Sequence, residues 1–89
     1  MTTILALILL AKFEAVGWTY ECAYVADHEV HELLACGPEK GWVERKLAER
    51  VCWAPTLNRR VCESSIKCSL VGRACMYEPT GDPSHWREP

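Results

Sequence analysis

Six cysteines in a chain of 89 residues, at Cys22, Cys36, Cys52, Cys62, Cys68 and Cys75, constrain the fold more than any other feature. A chain this short forms one domain and buries too little apolar surface for a comfortably stable core. An even number of thiols then reads as three disulfides that make up the deficit, in a protein that matures in an oxidising compartment. A zinc site instead needs thiolates roughly two to four residues apart, so that neighbouring ligands reach one tetrahedral ion. The intervals here are 13, 15, 9, 5 and 6 residues, so no metal and no other cofactor is expected. The sequence leaves the pairing of the six open.

The opening stretch agrees with that compartment. Met1 to Thr3 is a short polar start, Ile4 to Ala11 is an apolar run, and Lys12 to Gly17 is a polar exit with small Ala15 and Gly17 ahead of Trp18. This is the layout of a signal peptide cut before Trp18. The same residues would also make a buried helix, with Ile4, Leu5, Ile8 and Leu9 on one face. Lys12 ends the run far short of the roughly 20 residues a bilayer span requires, so no stable membrane insertion is expected. The expected organisation is residues 1–17 as signal, 18–77 as one disulfide-stabilised domain and 78–89, rich in proline and polar residues, as a flexible tail unless Trp86 docks.

Ten basic against 12 acidic side chains give a net charge of −2. A nucleic-acid binder needs surplus cations to displace phosphate counterions, and this chain has none to spare. Acidic residues cluster in the first third (Glu21, Asp27, Glu29, Glu32, Glu39) and basic ones in the middle (Arg45, Lys46, Arg50, Arg59, Arg60). That separation gives a dipolar surface suited to orienting a protein partner.

The elements follow from periodicity. Trp18, Tyr20, Cys22, Tyr24 and Ala26 alternate along WTYECAYVA, which predicts a strand. Asp27 as N-cap, Glu29 and Glu32 in the first turns, Val30, Leu33 and Leu34 on one face and Gly37-Pro38 as stop predict a helix over 28–36. Val43, Leu47 and Val51 at four-residue steps predict a second helix, ended by Pro55. Over 61–77 strand parity and helical spacing compete, and Gly72 favours a bent or hairpin-like pair of short strands. The expected fold is a small disulfide-rich α+β domain: two short helices, an N-terminal strand and a Cys-rich C-terminal hairpin or short helix.

Several residues invite a chemical reading. His28 and His31 would share one side of the first helix with Asp27 and Glu32, a ligand set for a metal or a group responsive to mild acid. The zincin spacing is four with glutamate directly after the first histidine, whereas here it is three, so the pair reads as exposed side chains. No Gly-rich nucleophile turn accompanies any cysteine or histidine, and no catalytic residue or enzyme activity is expected. Arg59-Arg60 is a dibasic pair in an expected loop, where a furin- or Kex2-like protease would leave two chains held by disulfides.

Tyr20, Glu21 and Cys22, just after the inferred cleavage point, resemble the Y/F/WxC motif of small cysteine-rich secreted effector candidates of plant-pathogenic fungi, the powdery mildews and rusts. The resemblance covers that triplet and the layout of signal, short mature chain and cysteines near both ends. It implies a secreted protein, delivered to a host, that works by binding. The six cysteines and two expected helices depart from the ribonuclease-like set among those effectors, so neither that fold nor RNA binding carries over.

Four tryptophans supply anchors for such binding, and Trp42, Arg45 and Arg50 on the second helix form the expected contact surface for a protein target. The function expected is that of a secreted, effector-, toxin- or inhibitor-like binding protein. The alternatives are a hormone-like precursor cut at Arg59-Arg60, and an intracellular metal-binding or helical microprotein.

Overall fold

The computed structural model describes residues 14–53 and 58–89. The elements in chain order are β1 (Ala15–Ala26), β2 (Glu29–Gly37), α1 (Lys40–Val51), α2 (Arg59–Ser65), β3 (Lys67–Tyr77) and β4 (Trp86–Arg87). The strands form one antiparallel sheet in the order β2-β1-β3-β4. The fold is mostly antiparallel sheet with two helices, which corrects the expected pair of helices flanked by a strand and a C-terminal hairpin.

The main departure is at 28–36, where a strand replaces the expected helix. Asp27 and His28 both have positive φ (52° and 65°) and form the two-residue loop between Ala26 and its partner Glu29. A tight hairpin loop needs φ > 0 at both central residues to match strand twist, and Asp and His tolerate this region better than most residues. Asp27 therefore turns the chain back instead of capping a helix. Val30, Leu33 and Leu34 do not share a buried face: Leu33 packs on the core, while Val30 and Leu34 are 69% and 49% exposed.

Between Cys62 and Tyr77 the structure forms helix α2 and then one continuous strand, not two short strands. Asn58 caps α2 by accepting from the Val61 N–H. The bend expected at Gly72 is a bulge: Trp18 pairs with Ala74 and Tyr20 with Leu70, so Val71-Gly72-Arg73 stand opposite Thr19 alone. Gly72 takes φ 94°, a conformation that side chains disfavour.

The core lies between one sheet face and the helices. Tyr20, Cys22, Ala35 and Cys68 from the strands meet Val43 and Leu47 of α1, with Cys52, Cys62 and Ile66 closing the end. Val43 and Leu47 are 0% and 1% exposed, and each contributes about 2 kcal/mol by leaving water. Glu44 ties α1 to the sheet by accepting from the Cys68 N–H at 3.0 Å.

A second cluster, Cys36, Cys75 and Tyr77, gathers Ala15, Trp42 and Trp86. Trp42 also packs against the main core and meets Tyr77 edge-on at 5.1 Å, so it joins the two clusters. The passage exists because Gly37 lacks a side chain: a Cβ there would lie 2.5 Å from Val43 Cγ2 and 2.6 Å from Trp42 Cε3.

Three disulfides join Cys22 to Cys68, Cys36 to Cys75 and Cys52 to Cys62. The chain after β3 is held on both sides of the sheet. β4 pairs with β3, while the Pro83 carbonyl accepts from Cys36 N–H (2.9 Å) and the Trp86 indole donates to the Leu34 carbonyl (3.2 Å), both on β2. Trp86 thus docks, and Pro83 is fully buried. Of the expected signal segment, residues 1–13 lie outside the described residues, whereas Ala15–Gly17 begin β1.

Candidate functional site

The side chains expected to meet a partner occupy different positions. Trp42 is half-buried between the clusters, with Lys46 Nζ 5.9 Å from its ring centre. Arg45 is exposed and lies 3.9 Å from Glu39, and Arg50 is exposed in the last turn of α1. The helix therefore presents the two arginines to solvent while its tryptophan packs inward.

The two histidines, three apart, sit on a hairpin and not on a helix. His28 is exposed in the turn, and His31 stacks on its cross-strand partner Tyr24 at 5.1 Å. Among the described residues no three His, Cys, Asp or Glu side chains are grouped to hold a metal ion. Among them, too, no helix is long and apolar enough to cross a membrane.

What sequence reasoning missed is an apolar strip on β1 and β3. The register pairs Val16 with Met76, Trp18 with Ala74 and Tyr20 with Leu70. By strand alternation these side chains share the sheet face that carries α1. The helix covers Tyr20 but stops short of the rest: Val16 is 67% exposed, Trp18 50% and Leu70 63%, with Val71 at 46% beside them in the bulge. Alternation from Trp18 to Ala26 is legible, but Val16 reads as part of the signal, and which half of the face a helix covers depends on tertiary packing.

Ion pairs border the strip. Arg87, paired with Met76 across β3 and β4, hydrogen-bonds Glu14 through its guanidinium, and Arg73 bonds Glu88 at 3.2 Å. Glu14 raises the Arg87 pKa, so this charge stays fixed. An open cleft of about 450 Å³ lies beside Met76, with Glu14, His85, Trp86 and Arg87 among its walls. Near it, burial pushes the Asp82 carboxyl up, but the Ser84 hydroxyl and backbone N–H, with the charges of His85 and Arg50, outweigh this and hold it below 3.8.

Fold and surface together define a small disulfide-stapled antiparallel β protein with a polar-rimmed apolar strip. No protein-family model matches the chain, and neither a curated protein nor a solved structure matches it.

Proposed function

We propose that the protein is secreted and acts without catalysis, by binding a protein target through the part of the strip formed by Trp18, Leu70 and Val71. The observation that carries this reading is the half-exposed Trp18 in an apolar strip bordered by the Arg73–Glu88 ion pair. Apolar patches with polar rims mark interaction sites, and tryptophan is favoured at their energetic centres. The three disulfides support the extracellular setting, since such bonds persist where thiols are not kept reduced. Cys22–Cys68 also holds β1 against β3, so the strip loses little conformational entropy on docking.

An effector-like role acting on a host remains within this reading. Tyr20 and Cys22 of the Tyr-Glu-Cys triplet are core positions, Tyr20 beneath α1 and Cys22 bonded to Cys68. Their work in this chain is structural, and recognition falls to neighbouring Trp18.

The test is parallel affinity capture with the wild-type protein and a Trp18→Ala/Leu70→Ser variant, both verified as folded and fully disulfide-bonded. A target retained by the wild type, weakened at least tenfold by the variant and reproduced with purified components supports the proposal. Equal retention by both proteins, or none by either across extracellular and host-cell fractions, overturns it.

A further inference from the structure

The chain contains two pairs of adjacent basic residues, Arg45-Lys46 and Arg59-Arg60, and the fold treats them differently. Arg45-Lys46 lies in the middle of the 12-residue α1. Lys46 has a side chain only 31% exposed, and Leu47, the residue after it, is 1% exposed in the core. A protease draws its substrate into an extended strand, and doing so here would remove α1 from the sheet.

Arg59-Arg60 opens the seven-residue α2, whose one buried residue is Cys62. The Arg59 side chain is 71% exposed, and Val61, the residue after the pair, is 50% exposed. The contacts along this first turn are local: Asn58 Oδ1 accepts from Val61 N–H at 3.3 Å, the Asn58 carbonyl accepts from Cys62 N–H, and the exposed Arg59 pairs with Glu63. Such local bonds open at less cost than those of a helix packed on the sheet, while Cys62 behind them stays anchored through Cys52.

The disulfide pattern adds an independent observation. Cys22, Cys36 and Cys52 precede the Arg60–Val61 bond, Cys62, Cys68 and Cys75 follow it, and every disulfide joins the first set to the second. Breaking that bond would leave two chains joined by three disulfides. They would also be joined by the β1–β3 pairing from Trp18–Ala74 to Ala23–Lys67. The core itself does not pass through the bond.

We propose that Arg60–Val61 is a maturation site for a secretory endoprotease specific for paired basic residues, and that the mature protein has two chains. Water adds across the peptide bond, leaving a carboxylate on Arg60 and an ammonium on Val61, with no change in oxidation state. This extends the binding reading without depending on it, because the strip is present in both forms.

The experiment treats the secreted, disulfide-intact full chain with a purified subtilisin-type dibasic-specific endoprotease and records intact mass before and after reduction. The expected result is one cut: the unreduced mass rises by one water, and reduction releases a fragment running from Val61 to Pro89. Arg60→Ala should slow the cut at least a hundredfold, whereas Arg45→Ala leaves its rate unchanged. Resistance of the native protein, under conditions that cleave the reduced and alkylated chain at both pairs, overturns the proposal. So does a native cut after Lys46 at an equal or faster rate. Loss of near-ultraviolet circular dichroism after the cut shows degradation and also overturns it.

Discussion

Thr19 and Arg73 exchange two hydrogen bonds where the pairing of β1 and β3 breaks: the Thr19 hydroxyl donates to the Arg73 carbonyl at 3.0 Å and accepts from the Arg73 N–H at 3.2 Å. Thr19 is 3% exposed, and its side chain takes the place of a missing ladder partner. Thr19→Val keeps the shape but leaves both backbone groups unpaired, at an expected loss of about 2 kcal/mol in urea unfolding. Thr19→Ser should recover most of it. A loss below about 0.5 kcal/mol for the valine variant would show that water serves the bulge equally well.

The disulfides should differ in worth according to the chain they close. Cys22–Cys68 spans 46 residues and Cys52–Cys62 spans 10. Loop entropy then predicts losses of about 4 and about 3 kcal/mol when each pair is replaced by serine. Chemical denaturation of the two double variants checks the order, and a larger loss for the short loop would show that packing around Cys52 and Cys62 dominates.

Gly37→Ala should disturb the junction of the two clusters. The new methyl meets Val43 and Trp42 at 2.5 and 2.6 Å, within the packed base of α1. Overpacking of this kind costs about 1–3 kcal/mol. The Trp42 signal in near-ultraviolet circular dichroism should change with it, and an unchanged signal at unchanged stability would contradict the close approach.

Asp82 gives the tail a dependence on acid. Its carboxyl titrates below 3.8 in the folded protein, so its stabilising contribution is complete above that value and disappears as pH falls through the lower folded-state value. The Trp86 indole resonance, followed downward from pH 5, should shift only below about 3.8. Asp82→Asn should remove that step, and persistence of the step in the variant would assign it to another carboxyl.

Parts of this architecture are legible in the residues and parts are not. Alternation along 18–26 and the four-residue steps of Val43 and Leu47 are each written within a single segment, and both elements form. The hairpin at Asp27-His28 is hidden because an acidic residue ahead of Val30, Leu33 and Leu34 is equally the start of a helix. Only pairing with β1, contributed by a different segment, decides between them. The disulfide partners are hidden for the same reason, since Cys22 meets Cys68 only through the β1–β3 register. The apolar strip combines both difficulties: Trp18 and Leu70 look like core until α1 is seen to cover only Tyr20.

The arrangement of the disulfides also sets an order of events during synthesis. While only the first 61 residues have left the ribosome, Cys22, Cys36 and Cys52 are present and none has its native partner. Any bond oxidised at that stage is a wrong one. Cys62 can rescue Cys52 soon afterwards, but Cys22 and Cys36 must wait for the emergence of β3, the strand that also completes their sheet. Correct pairing of Cys22 and Cys36 therefore follows the emergence of β3, and its yield should depend on an isomerase that keeps early thiols exchangeable.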